Sequence, residues 1–173
     1  MAKTFDQATA EERRALAALQ LIVFDVDGVM TDGRFTLDAD GNESKTFNTQ
    51  DGYGMRSLLD NGVAIAVITG RNSNAVTVRM QELGVQHVFQ GCRNKSDTIQ
   101  QLLTQLGIAP TVVAAVGDDE PDLAMFDAVA TRVCVANAVA SVQSAADWVT
   151  QQRGGFGAVR EIADCVLAAR QSA

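Results

Sequence analysis

LIVFDVDGVMTDG, residues 21–33, turns within a few positions from an unbroken apolar run into alternating acids and glycines. Leu21 to Phe24 show no polar alternation, and LIVFDVD (21–27) reads as a strand buried on both faces of a parallel sheet. Asp25 and Asp27 follow at i and i+2, so on extended backbone their carboxylates share one side, about 6–7 Å apart. Acids in that position either open a polar turn or form a site, and the segment alone leaves both readings standing. The rest of the chain decides.

Similar apolar runs recur at VAIAVIT (63–69), HVF (87–89), TVVAAVG (111–117), RVCVA (132–136) and, more weakly, DWVT (147–150). Helical periods lie between them: about 10–19, where Thr9 and Glu12 form a capping box, then 51–61, 73–83, 95–106, 120–129, 138–145 and 157–170. Gly62, Gly84 and Gly107 follow three of these as helix-ending glycines. Alternation of this kind predicts an α/β fold, a doubly wound and mainly parallel sheet, as a single domain over residues 1–173. One stretch breaks the rhythm. GRFTLDADGNESKTF (33–47) carries two polar–apolar runs around Asp40-Gly41-Asn42, which reads as a β-hairpin inserted after the first strand. That insertion point lies at the carboxyl end of the sheet, where open α/β folds bind ligands.

Composition narrows the function. Fourteen Lys+Arg against 21 Asp+Glu give a net charge of −7, which excludes the basic footprint of a nucleic-acid binder and argues against docking on an anionic membrane. No apolar run approaches the ~18 residues needed to span a bilayer, and MAKTFDQATAEERRALAALQ lacks the apolar centre of a secretory signal. Cys92, Cys134 and Cys165, odd in number and without CxxC spacing, argue against a disulfide framework or a zinc site. A cytoplasmic protein is expected. His87 and Met55, Met80 and Met125 read as structural.

Three further signals fall at the ends of later strands. Thr69-Gly70-Arg71 offers a hydroxyl and backbone amides suited to a phosphate oxygen, or simply ends a strand. Lys95 in CRNKSD is either a solvated first-turn lysine or a cation turned to the crevice. Gly117-Asp118-Asp119-Glu120-Pro121-Asp122 packs four acids into five residues, which repel unless a cation or water screens them. Acids after a strand also complement a helix dipole, and Pro121 suits a first turn. Each signal has a bland reading alone; chance placement of all of them along one sheet edge is a poor explanation.

With these motifs in this order, the sequence resembles the haloacid dehalogenase superfamily of aspartyl-phosphate phosphotransferases. FDVDGVMTDG, KTFNTQDGYGMRSLL, ITGRNS, QGCRNK, VGDDEPD and GGFGAVRE extend the resemblance over nearly all of residues 21–167, to a minimal-cap branch acting on phosphates of 2-keto-3-deoxy sugar acids. Phe156 departs from the arginine of that branch's pattern.

The resemblance implies a Rossmann-like fold of the haloacid dehalogenase type and a specific division of labour. Asp25 would attack phosphorus, and Asp27 would protonate the departing sugar oxygen and then activate water. Mg²⁺ would be held by Asp25, the backbone carbonyl of Asp27 and Asp118, offsetting repulsion between a carboxylate nucleophile and a dianionic phosphate. Thr69 and Lys95 would hold phosphoryl oxygens, with Asp119 and Asp122 supporting the metal shell and the helix start. Asn48, Thr49, Gln50, Asp51 and Gly52 correspond to the family's substrate segment, alongside Asp27, Gly70 and Lys95. Arg71, Arg79 and Arg56 are candidate cations for the substrate carboxylate, the latter two being equally compatible with a solvated helix face. The implied substrate is 3-deoxy-D-manno-octulosonate 8-phosphate, a lipopolysaccharide precursor of Gram-negative bacteria. The implied assembly is a homotetramer in which hairpins form a barrel and one subunit closes its neighbour's site.

Three rivals remain in view. A receiver-type signalling module would put its phospho-acceptor Asp on an internal strand, where this chain has Thr69. A non-catalytic oligomerisation module of the same fold would lack Asp25 or Asp27, and both are present. A phosphatase for a nine-carbon keto-acid 9-phosphate would carry an acid where Arg71 stands, by resemblance to the nine-carbon relatives.

Overall fold

A computed structural model describes residues 2–172. Helix α1 (Ala10–Ala17) opens with the expected capping box: Thr9 accepts from the Glu12 amide, and Glu12 accepts from the Thr9 amide at 2.9 Å. Strand β1 (Leu21–Phe24) follows, then a short antiparallel hairpin of β2 (Thr36–Leu37) and β3 (Glu43–Ser44). After α2 (Thr49–Asp60) come β4 (Ala64–Ile68), α3 (Asn74–Leu83), β5 (His87–Phe89) and α4 (Lys95–Leu106). The chain ends with β6 (Val113–Gly117), α5 (Leu123–Phe126), β7 (Thr131–Cys134), α6 (Ala140–Ala145), β8 (Trp148–Val149) and α7 (Ala158–Gln171).

Among the described residues the main sheet has six parallel strands in the order β5-β4-β1-β6-β7-β8. The chain leaves β1 for one side and returns past it to the other, so β1 lies at the topological switch point, whose carboxyl end is the natural ligand crevice. All four β1 residues are fully buried, as the unbroken apolar run required. Burying a Val, Leu or Ile side chain contributes about 1.5–3 kcal/mol, and the core is built chiefly from such residues with Met55, Met80 and Met125. Few aromatics take part; Phe5 stacks on Trp148 at 5.2 Å and ties the N-terminal segment to the sheet edge. Helix α7 packs against α1 and α2. Arg170 fastens its end by donating to the carbonyls of Ala17, Leu19 and Asn61. No described helix is long and apolar enough to cross a membrane.

Two expectations change. The predicted first strand was to carry Asp25 and Asp27, but β1 stops at Phe24. The amides of Val29, Met30 and Thr31 all turn back to the Val26 carbonyl, which curls the chain out of extended geometry. The two carboxylates therefore do not share one side by strand alternation, and they meet different partners. The helix expected over 120–129 is reduced to a 3-10 turn (Glu120–Asp122) and the short α5. Beyond it the amides of Ala128 and Val129 bond three residues back, which winds the helix out.

Candidate active site

Three loops meet beyond the carboxyl ends of β1, β4 and β6. The first carries Asp25, whose amide donates to the Val116 carbonyl at 3.1 Å and so is held by the neighbouring strand. Lys95 comes from the first turn of α4, which starts where it does because Asn94 caps the Asp97 amide. Its ammonium lies 2.5 Å from Asp25 Oδ1 and 2.7 Å from Asp122 Oδ1, with all three side chains nearly excluded from solvent. The solvated-lysine reading is thereby excluded. Burial works against the Lys95 charge, but Asp25 and Asp122 outweigh it and hold its pKa above the ordinary lysine value.

Asp122 is occupied on both oxygens: Oδ1 takes Lys95, while Oδ2 accepts from the amides of Asp118 (2.9 Å) and Asp119 (3.3 Å). Asp119 itself caps the 3-10 turn, accepting from the Glu120 amide at 2.8 Å. Asp118 differs from both. Its Oδ1 is buried and has no hydrogen-bond partner, an expensive state for a carboxylate. Asp25, Asp118 and Asp122 each present an oxygen within 4.8 Å of the others. One ammonium among three carboxylates leaves excess negative charge. Burial first, then repulsion from Asp122, pushes Asp25 up to about 7 despite Lys95. Burial, then Asp25, Asp122 and Asp119, pushes Asp118 up to about 7 as well. An all-oxygen, net-negative pocket with an unpartnered carboxylate oxygen suits a hard divalent cation such as Mg²⁺.

Glycines set how closely these loops approach. A Cβ on Gly28, whose φ is +96°, would fall 2.0 Å from Asp118 Oδ2, so only glycine lets the Asp118 carboxylate lie against the first loop. A Cβ on Gly154 would fall 1.6 Å from the Gly28 carbonyl oxygen. The glycines of GGFGAVRE therefore do more than start a helix: they dock that loop onto the acid-bearing one, where the Gly155 amide donates to Val29 O at 3.0 Å.

Thr69 is buried at the end of β4, its backbone locked to Phe89 O and the Cys92 amide; a Cβ on Gly70 would meet only the Cys92 carbonyl, at 3.8 Å. Arg71 follows, half exposed. Asn48 caps α2 by accepting from the Gln50 amide and donates to Gly155 O at 3.3 Å, placing it beside the docked loop. Thr49 and Gln50 are exposed, and Gln50 borders a cavity of about 700 Å³ on the α7 side, with Phe5, Leu16 and Phe156.

The other substrate candidates are placed differently. Asp51 is buried and its oxygens accept from the amides of Arg160 (2.8 Å) and Gly157 (3.3 Å), so it caps α7 across the chain. Gly52 lies under Arg79, which pairs with Glu82 at 2.7 Å. Arg56 pairs with Asp60 and donates to Leu83 O at the end of α3. It lines a recess with Ala64 and His87, which begin β4 and β5, so it sits at the amino end of the sheet, opposite the acids.

Two hairpin residues at the site went unread in the sequence. Lys45 donates to Asp27 Oδ1, and Glu43 lies between Lys45 and Arg71. The signal was present: Glu43 and Lys45 are two apart on a strand-forming run and so share a face.

Residues 87–160 match the family model described as haloacid dehalogenase-like hydrolase. A 3-deoxy-D-manno-octulosonate 8-phosphate phosphatase of Escherichia coli strain B / BL21-DE3 is 39% identical over 170 residues, 98% of this chain and 90% of that one. A solved Xanthomonas campestris protein described as hypothetical superposes with a TM-score of 0.92 at 41% identity, covering 99% of this chain and 94% of that one. The Moraxella catarrhalis 3-deoxy-D-manno-octulosonate 8-phosphate phosphatase, solved with magnesium, phosphate and KDO, superposes with a TM-score of 0.91 at 34% identity, covering 95% of each chain. By fold, by site and by this likeness over nearly its whole length, the chain belongs to the 3-deoxy-D-manno-octulosonate 8-phosphate phosphatases among the haloacid dehalogenase-like hydrolases.

Proposed function

We propose that the protein is a Mg²⁺-dependent phosphatase that hydrolyses 3-deoxy-D-manno-octulosonate 8-phosphate to the free sugar acid and inorganic phosphate through an aspartyl-phosphate on Asp25. The carrying observation is the buried Asp25 carboxylate gripped by Lys95 at 2.5 Å beside the unpartnered Asp118 oxygen. In this reading an Asp25 oxygen bonds to phosphorus as the bond from phosphorus to the sugar oxygen breaks, and Asp27 delivers a proton to that oxygen. Asp27 then takes a proton from water, whose oxygen attacks phosphorus, releasing phosphate and restoring Asp25. Lys95 and the Thr69 hydroxyl hold the non-bridging oxygens in place throughout. Asp25, the Asp27 carbonyl and Asp118 are the residues to hold Mg²⁺, which when bound draws off phosphoryl negative charge. Asp119 and Asp122, tied to local amides, keep that shell in shape.

Arg71, Gly70, Asn48 and Thr49 are the substrate contacts this reading retains within one chain. Arg56 and Arg79 lie outside the acid centre of their own chain, and the homotetramer of this reading is what would bring them to a substrate. A two-plus-two-residue hairpin is too small to cover a site alone, and exposed Phe35, Leu37, Tyr53 and Phe156 offer apolar surface for self-association. Three free cysteines suit the reducing cytoplasm, where this step of lipopolysaccharide precursor synthesis is placed. One continuous core from Phe5 to Ala169 supports a single domain over 1–173, of which residues 1 and 173 lie outside those described.

Phosphate release measured on eight-carbon and nine-carbon keto-acid phosphates and a hexose 6-phosphate tests the substrate. The eight-carbon compound should lead in kcat/KM by at least about tenfold, since polar recognition of the sugar body discriminates strongly. Preference for the nine-carbon compound would favour the alternative substrate, and equal rates would leave a general phosphatase.

Metal binding has a readout apart from turnover. Asp25 and Asp118 titrate near 7 in the folded metal-free protein against 3.8 for an ordinary aspartate. A raised folded pKa means stability present at low pH and lost as pH climbs from about 4 through about 7. Metal-free melting temperature should therefore fall across that window. Added Mg²⁺ should raise the melting temperature more at pH 8 than at pH 5, and Asp118→Ala should shrink that gain. A gain independent of both pH and residue 118 would remove these acids from the ligand set.

A further inference from the structure

A second group of charges lies on the hairpin. Glu43 Oε2 accepts from Arg71 Nε at 3.0 Å and from Nη2, taking one whole edge of the guanidinium. The Phe35 ring covers its face, 4.0 Å from Arg71 Cζ. Glu43 Oε1 lies 3.2 Å from Lys45 Nζ, which also donates to Asp27 Oδ1. Lys45's side chain is wholly buried and Glu43's is 12% exposed, whereas Arg71's is 45% exposed. The charges thus alternate from Asp27 to Lys45, Glu43 and Arg71. A lone exposed ion pair stabilises little. Here an edge-on fork, a stacked ring and a buried lysine hold one guanidinium in one orientation. Among the described residues Arg71 Nη1 donates no hydrogen bond.

We propose that Glu43 and Lys45 are positioning residues for substrate selection: Glu43 fixes Arg71 so that its remaining donors meet the oxygen-rich body of the sugar acid, and Lys45 ties that arrangement to Asp27. The hairpin of a single chain then carries part of the specificity that the phosphate-reading motifs lack. Prior orientation of a long, flexible cation saves the ordering cost at binding. This inference rests on the sugar-acid phosphatase reading above.

Glu43→Gln keeps the shape and removes the charge that holds both cations. The test compares the eight-carbon keto-acid phosphate with propyl phosphate, which has a primary alkoxide leaving group and no sugar body. The ratio of their kcat/KM values should fall about tenfold in Glu43→Gln, the value of one charge-assisted hydrogen bond. The loss should lie in KM for the sugar acid, and Glu43→Asp should restore part of it. An equal fall on both substrates would make Glu43 merely structural and overturn the proposal, as would an unchanged ratio in a variant whose parent prefers the sugar acid. A parent that cleaves propyl phosphate and shows no preference for the sugar acid would overturn the substrate reading itself, and this inference with it.

Discussion

Asp25→Asn should abolish phosphate release, with a loss of about 10⁴-fold or more, yet the metal-free protein should melt no lower than its parent at pH 8. The first half follows from the chemistry: an amide oxygen cannot form the acyl phosphate, and the other carboxylate that Lys95 grips, Asp122, is tied through its second oxygen to the amides of Asp118 and Asp119. The second half follows from electrostatics. Asp25 shares the pocket with Asp118 and Asp122, against a single ammonium. Its folded pKa, raised to about 7 by burial and by Asp122, means that above pH 7 the folded state holds a charge it disfavours. Asparagine removes that charge while its side-chain oxygen can still accept from Lys95, whose bond to Asp122 remains. Phosphate release and thermal melting in chelator check both halves. Near-normal turnover would refute covalent catalysis, and a deep fall in melting temperature would make Asp25 a structural residue.

Lys95→Met should act in the opposite sense on stability. Three carboxylates are then left facing one another with no internal cation, and breaking such a buried pair typically costs about 3–5 kcal/mol. For a chain of this size that is a fall of about 6–20 °C in melting temperature, together with loss of turnover as the phosphoryl group loses its cationic anchor. The deficit should be smaller at pH 5 than at pH 8. Protons then neutralise Asp25 and Asp118, whose pKa values already stand at about 7 with the lysine in place. A melting temperature within about 2 °C of the parent at pH 8 would show that the ammonium is not what balances the cluster.

The buried strand that begins at Leu21, the capping box of Thr9 and Glu12, and the helix ends at Gly84 and Gly107 are legible because each depends on neighbours within a few positions. The acids at 118, 119 and 122 are legible as a cluster for the same reason. Their separate duties are not. Asp122 spends both oxygens on Lys95 and two amides, whereas Asp118 keeps one oxygen free, and spacing alone cannot distinguish them. Asp51 belongs to the family's substrate segment, yet its carboxylate caps a helix 106 to 109 residues away, because α2 and α7 lie against each other in the fold.

Fold class, the order of the motifs, the hairpin and the chemical character of the site were determined by the amino-acid sequence alone, through local periodicity and the residue types that phosphoryl transfer requires. The pairing of charges was decided only in three dimensions: Lys95 with Asp25 across 70 residues, Lys45 with Asp27 across 18, and Glu43 with Arg71 across 28. A side chain several bonds long can reach any acid that tertiary packing brings near. Which one it meets depends on loop curvature and burial, as at Gly28 and Asp118, which no short stretch of sequence encodes.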